Sequence, residues 1–497
     1  MSKTIANARI PGDRGLLGSI VNIHIDDAGK ISDIEFVGTT TAITIPGGES
    51  DVDVIDAGGR FVIPGLWDNH THFTNWALTL TQVNVEHVGS TSEMAEFVGQ
   101  WMRNNDGDMV GRDFRPSQWA VRPHFSILDA VTGDRAVALI SADRHSVWLN
   151  TAGLKKYGYE GHPTGYLVEH DAFDVEVQIH DVDAKVGDAA VLEASKQAAA
   201  RGVVGIVDLE FAAFTPDQWR RRIANGNDYL RVDGCFYTPD LDRAIDAGLR
   251  TGDVIASTDG LLRFGRHKII TDGAMGSRTA YCHHAYPGMT GPDAFGVLNI
   301  PLNELVTVMA RTWSAGIEMA VHAIGDHANE IVLDAFAATK AKGTVEHAQQ
   351  LTATDAVRLA KSGVIASMQP EHAMDDRDGA EELWAGHHDF TFAHRTILDN
   401  GGVLAFGSDA PVAPLDPWFA IASAVHRSRD GRDPWHPEQR ISAQQALDAS
   451  TRTRIAVGEV ADLVLVESDP LDADVDTLRN MTVAATFIAG RATFSAL

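Results

Sequence analysis

Cysteine is scarce: two residues, Cys235 and Cys282, among 497 cannot build a disulfide framework or a Cys-based zinc site. Both read as small buried hydrophobes. No run approaches the ~18 consecutive apolar residues of a membrane span, and the start MSKTIANARIPGDRG lacks the apolar core of a secretory signal. A cytoplasmic protein with no membrane partner is therefore expected. Cations are outnumbered, 41 Lys and Arg against 68 Asp and Glu, and the net charge of −27 repels phosphate backbones, so nucleic acid is not an expected partner. Low-complexity linkers and internal repeats are absent as well. What the chain holds in unusual number is histidine, 21 residues, which turns attention to imidazole chemistry.

The length suggests about three units at a typical ~150 residues each. Residues 5–60 read as short strands broken by turn clusters such as Asp26-Asp27-Ala28-Gly29 and Pro46-Gly47-Gly48, and the apolar runs 461–466 and 484–490 look similar. One small β domain built from both flanks, 1–60 and 451–497, is the expectation. Between them, short apolar runs at 202–208, 364–369 and 403–409 alternate with helical patterns, which argues for βα units and a parallel sheet. The span 61–450 exceeds the ~250 residues of a plain (β/α)₈ barrel. An insertion is needed, and the stretch around 75–200 is where it is expected.

Chemistry concentrates at the ends of the apolar runs. Phe61 to Leu66 leads into Trp67-Asp68-Asn69-His70-Thr71-His72, and on a strand side chains two apart share a face, so His70 and His72 could grip one ion. Alone, such a pair is more often a pair of surface or hydrogen-bonded residues than a metal grip. Ile317 to His322 and Thr344-Val345-Glu346-His347 end two further runs, 25 residues apart from His322 to His347, which suits a βαβ unit with both imidazoles at strand C-terminal ends. Val403 to Asp409 ends in a carboxylate; an Asp there also serves as a helix N-cap, a reading weakened by Pro411 and Pro414. Lys268 lies near the end of Phe264 to Gly273, where a lysine is ordinarily a solvated or paired cation. Desolvation and nearby metals would instead favour its neutral amine, which can take up CO₂ as a carbamate. Six such groups at strand ends suit Zn²⁺, and Mn²⁺, Fe²⁺, Co²⁺ or Ni²⁺ as well.

This set resembles the amidohydrolase superfamily, and several stretches resemble its N-substituted formamide deformylase-like branch: Ser141 to Asn150, Lys268 to Ala280, His322 to Asn329, Glu346 to Gln349, Met368 to Pro370 and Gly407 to Val412. The resemblance implies an α/β fold, a distorted (β/α)₈ TIM barrel with a small β-sandwich domain from the N- and C-terminal segments. It implies a metal-dependent hydrolase of non-peptide C–N bonds, amide or formamide-like, acting through a metal-activated hydroxide on a small-molecule substrate. His70 and His72 would hold one ion with Asp409, and His322 and His347 the other; carboxylated Lys268 would bridge two divalent metals, zinc first among them. Asp409 would be the catalytic base and then acid. His145, Trp148, Glu169, Asp272, Arg278 and His372 fall in segments matching the branch's pocket loops and are the expected substrate contacts. One departure shows: the family usually has a longer Ala-containing stretch between Thr451 and Gly458, which puts in question how the last barrel helix hands over to the sandwich.

Two alternatives stay open. One is a mononuclear deaminase on the same scaffold, with Lys268 unmodified and Glu346 as proton donor; the other is a non-catalytic barrel that binds. The adjacent pairs His283-His284 and His387-His388 read as solvated loop residues. Homo-oligomer formation is left open.

Overall fold

The computed structural model describes residues 2–12, 20–38, 53–115, 119–141, 146–168, 170–211 and 214–497. The expected substrate contacts His145 and Glu169, and the turn at Pro46, lie outside these. Among the described residues the strands form three sheets.

The first sheet joins the two ends of the chain. It is built from β1 (Lys3–Arg9), β2 (Ile20–Ile25), β3 (Ile31–Gly38), β4 (Asp53–Asp56) and β5 (Phe61–Pro64), together with the C-terminal β19 (Leu463–Val466), β20 (Val483–Ile488) and β21 (Arg491–Ser495). β5 pairs antiparallel with β19, so the strand that leads into the barrel is clasped by the strand that leaves it. Ile5, Val21, Ile23, Val62, Leu463, Leu465 and Phe487 form its core.

The second sheet is the barrel. Its strands, all parallel, are β6 (Leu66–Thr71), β12 (Val203–Asp208), β13 (Arg231–Tyr237), β14 (Leu262–Ile270), β15 (Met319–Ala323), β16 (Gly343–His347), β17 (Ile365–Met368) and β18 (Leu404–Phe406), in that order. Runs such as VVGIVD in β12 are buried along their whole length, because helices cover the outer face of a parallel sheet while the other face lines the interior. The expected helices follow them, Asp326–Thr339 after β15 among them. Between β6 and β18 the circle is closed by Asp409 N donating to His70 O at 2.8 Å and His72 N donating to Ala410 O at 2.9 Å. Gly407 makes this approach possible, since a Cβ there would lie 2.5 Å from the His70 nitrogen.

Residues 74–194 form a compact unit of their own. Its sheet runs β11 (Tyr166–Val168), β10 (Ser146–Leu149), β9 (Val137–Ser141), β8 (Met109–Phe114), β7 (Val83–Asn84). Trp148 is wholly buried there, packed on Phe114 and Trp119. No helix among the described residues is long and apolar enough to cross a membrane.

The short passage from barrel to terminal sheet is stitched on both sides. Ser450 O accepts from Trp67 N at 2.7 Å, and Arg452 lies over the Trp67 ring at 3.6 Å while its guanidinium donates to Asp233 (2.7 Å) and Asn69 (2.8 Å). Six residues after Arg452, Gly458 N donates to Ile31 O at 2.8 Å. Asp462 completes the join, receiving Arg231 in a two-pronged bond (2.7 and 2.9 Å) and Ala489 N at 2.8 Å. Because Asp462 is buried, losing its partner leaves a charge without compensation. Arg231→Met is expected to destabilise the fold by on the order of 3 kcal/mol, read as a lower urea midpoint with unchanged slope.

Candidate metal centre

His70, on the first barrel strand, and His72, just past its end, turn to the same carboxylate, that of Asp409, as residues two apart on extended chain can. His70 is wholly buried, and its Nδ1 lies 2.6 Å from Glu346 Oε2. Burial pushes the imidazole down to about 4, helped by Lys268, so it is neutral at ordinary pH. A neutral ring donating from Nδ1 to the carboxylate keeps its Nε2 lone pair free for an ion. Burial alone would raise Glu346; His70 and Lys268 outweigh it and bring the carboxyl to about 2. Thr344 Oγ1 donates to its other oxygen.

That Nε2 faces the remaining groups. Lys268 Nζ is 3.4 Å away, Asp409 Oδ1 3.5 Å, and the same Asp409 oxygen is 3.3 Å from His72 Nε2. Lys268 is paired with Ala320, two residues before the Ile270–His322 pair, so it sits below the rim and is 2% exposed. Burial lowers its pKa, against the opposing pull of Glu346 and Asp409. Asp409 lies past the end of β18 with φ 57°, a left-handed conformation uncommon outside glycine. Burial would raise its carboxyl, but His70, His72 and His347 hold it well below the usual range. Asp68 accepts from Ser408 N (2.9 Å) and His70 N (3.2 Å), bracing first strand against eighth; burial raises it to about 7.

His347 closes the far side. Its φ of 70° breaks strand alternation, so the neighbours Glu346 and His347 both reach His70, the first by hydrogen bond and the second with ring centroids 4.8 Å apart. Burial, with His322 and His70 beside it, holds its pKa well below the ordinary value. The His322 ring is 4.5 Å from His347, with Nε2 turned to Gly273 O at 3.2 Å and Asp272 Oδ1 at 3.3 Å.

Donor atoms converge in two groups, His70–His72–Asp409 and His347–His372–Asp409, each with its atoms within 4.8 Å of one another and all residues buried. Asp409 belongs to both. His72 Nδ1, His347 Nδ1 and His372 Nε2 are buried without hydrogen-bond partners. An imidazole and carboxylate set of this kind fits borderline divalent cations, which would satisfy nitrogens that otherwise carry a desolvation cost. All six residues expected as ligands are thus gathered at one barrel mouth, on the first, fourth, fifth, sixth and eighth strands or just beyond them.

The expected substrate contacts divide. His372, at the start of the helix His372–Leu383, stacks at 6.4 Å on His347 and stands among the donors. Asp272 is fully buried and clamps two loops, accepting from Tyr281 N (2.9 Å), Ile324 N (3.1 Å) and Gly325 N (2.9 Å). Arg278 is exposed in the turn after β14, with φ 57°. Trp148 belongs to the core of the unit 74–194, packed among apolar side chains. Two contacts were not anticipated from the sequence, where Glu346 entered only as a proton donor in the deaminase alternative. Glu346 is the partner of His70, and Phe211, 58% exposed, lies flat on the His72 ring (4.5 Å, 1°) and on Tyr237 (5.2 Å). The Glu346-His347 adjacency was a visible cue, since a strand normally sends neighbours to opposite faces; nothing in the sequence marked Phe211.

The model of the amidohydrolase family matches residues 53–494. The chain belongs to that family. As an amidohydrolase it is a metal-dependent hydrolase with the family's barrel and additional sheet domain. It is 26% identical over 521 aligned positions to the N-substituted formamide deformylase of Arthrobacter pascens, covering 92% of each chain, and 27% identical to the protein LONG AFTER FAR-RED 3 of Arabidopsis thaliana, covering 87% of this chain and 82% of that one. Among solved structures it is similar in fold to an uncharacterised metal-dependent hydrolase of Pyrococcus furiosus, TM-score 0.77 and 23% identity, over 95% of this chain and 100% of that one.

Glu346→Gln keeps the shape but removes the charge that orients His70 in this amidohydrolase. Divalent-metal affinity is expected to fall about 10- to 100-fold, measured by competition with a chromogenic chelator; an unchanged affinity would show that His70 needs no such brace.

Proposed function

We propose that this amidohydrolase hydrolyses a non-peptide C–N bond, an amide or formamide-like linkage of a small molecule, at the centre that shares Asp409. That sharing of one carboxylate between two imidazole groups is the observation that carries the reading. His70 and His72 with Asp409 would hold one divalent ion; His347 would hold a second, with His322 and His372 as the imidazoles beside it. Zinc heads the expected metals, with Mn, Fe, Co and Ni also compatible with such donors. Bound there, two such cations supply Lewis acidity, lowering the pKa of water toward about 7 and polarising a carbonyl.

The chain's own groups do the rest. Asp409, held ionised, accepts the proton of the attacking water and returns it to the leaving nitrogen, so an acid and an amine are released. Lys268, biased by burial toward its neutral amine, could add to CO₂ with loss of one proton, and the carbamate anion so formed would offer the metals a further oxygen ligand. Phe211 and Tyr237 present an apolar wall beside His72 for the substrate's hydrocarbon part. The formamide deformylase relative supports this choice of bond. The mononuclear deaminase is the weaker reading, because the Glu346 carboxylate it needs as proton donor is already engaged by His70 and Thr344.

Metal analysis of purified protein together with amine release from a panel of N-formyl and N-acyl amines tests this. Two ions per chain with amine and acid as products are expected; one ion with ammonia released from a heterocycle would sink the reading. His322→Ala should lose metal and turnover together, and full turnover in that variant would remove His322 from the centre. The carbamate has its own check: metal-free protein reloaded with Zn²⁺ in CO₂-free buffer should recover far less activity than with bicarbonate, and equal recovery would exclude it.

A further inference from the structure

The loop after β14 carries His283 and His284, and their rings go separate ways. His283 is exposed, stacks on His327 at 4.1 Å and pairs with Glu330 at 2.9 Å, an ordinary surface arrangement. His284 turns inward. Both its ring nitrogens are shut off from solvent and neither has a hydrogen-bond partner. One face is covered by His387, parallel at 4.1 Å and 5°. A neutral imidazole has one donor and one acceptor to satisfy, and burying each without a partner carries a desolvation cost. Both pairs, His283-His284 and His387-His388, were expected as solvated loop residues; His284 is not one.

Cys282 and Asp326, both buried, stand beside it. One donor atom from each of Cys282, His284 and Asp326 lies within 4.8 Å of the others. The present contacts of the two neighbours do not involve His284: Cys282 Sγ donates to Gln350 Oε1 at 3.3 Å, and Asp326 Oδ1 accepts from His283 N at 2.8 Å. A cysteine nucleophile does not explain the group, because burial pushes the thiol up to about 12 and no imidazole is bonded to the sulfur.

We propose that Cys282, His284 and Asp326 form a second metal site, sharing no residue with the centre around Asp409, which takes a borderline-soft divalent cation of the Zn²⁺ class. Two cysteines are too few for a cysteine-only site, but a mixed sulfur, nitrogen and oxygen set needs only one. Thiolate with imidazole selects Zn²⁺ or Co²⁺ over Mg²⁺ and Ca²⁺, and three protein ligands leave a position for water. The ion satisfies one His284 nitrogen and displaces the Cys282 proton. Its place defines its effect: Cys282 and His284 belong to the loop after β14, and Asp326 opens the helix after β15. Asp272 already clamps these same segments through Tyr281, Ile324 and Gly325. The ion makes a second clamp across the barrel mouth between fourth and fifth strands.

Full-length protein, stripped by chelator under reducing conditions and reloaded with Co²⁺ alone, provides the test. The donors around Asp409 contain no sulfur, so a thiolate-to-cobalt charge-transfer band in the near ultraviolet reports this site whether or not the catalytic reading holds. The band is expected in the wild type and in Cys235→Ser, and absent from Cys282→Ser. His284→Ala, at a partly exposed position that tolerates truncation, should weaken the Co²⁺ affinity of the band by at least about tenfold while circular dichroism stays unchanged. No band in folded wild-type protein with Co²⁺ in excess, or a band that survives Cys282→Ser, overturns the proposal.

Discussion

Closure of the barrel between β6 and β18 is the constraint on which the whole site depends. Asp409 stands three residues beyond the last residue of its strand, so no strand geometry of its own aims it. Two backbone hydrogen bonds, Asp409 to His70 and His72 to Ala410, bring its carboxylate onto both imidazoles of the first strand. Gly407 lets the two chains approach, and Asp68 holds the Ser408 amide from the other side. A slip of one residue in this register would move the carboxylate by about 3.3 Å and reverse the facing of the strand's side chains. The close approach at Gly407 therefore serves position.

The electrostatics follow from that enclosure. Lys268, Glu346 and Asp409 are all but excluded from water together with three imidazoles, a combination that is costly as a stabilising device, since desolvation of buried charges commonly outweighs their attraction. His70 and His347, kept neutral by burial beside a shared carboxylate, make sense as ligands of a cation. Glu346 supports the same view. It gives His70 a fixed tautomer, and a fixed tautomer matters only when the other nitrogen has a ligand to meet.

Much of this was legible in the chain. Apolar runs capped by His, Lys or Asp at βα spacing pointed to strand ends, and the strands lie within the runs at 202–208, 364–369 and 403–409. What could not be read has a common cause in departures from ideal geometry. The left-handed backbone at His347 brings its ring to the side Glu346 already faces, against alternation, and no propensity rule marks which strand residue takes φ 70°. Asp272 fell in a matching segment yet serves three amides of its own loops, a role set by tertiary contacts alone. The same holds for His283 and His284, identical neighbours whose opposite fates depend on what the helix Asp326–Thr339 and the residues around His387 bring beside them.

The shortened passage after Thr451 shows how stability and site are joined. With few residues to cross from the last barrel helix to the terminal sheet, Arg452 is drawn under the barrel against Trp67, Asn69 and Asp233. Trp67 and Asn69 belong to the strand that carries His70 and His72, and Asn69 also donates to Phe406 O at the end of the eighth strand. The guanidinium thus bears on the same seam whose rim presents the candidate ligands. A shorter connection, far from being a loss, gives the seam a second support, because an arginine held by stacking and by two hydrogen-bonded partners is hard to displace without moving the strand itself.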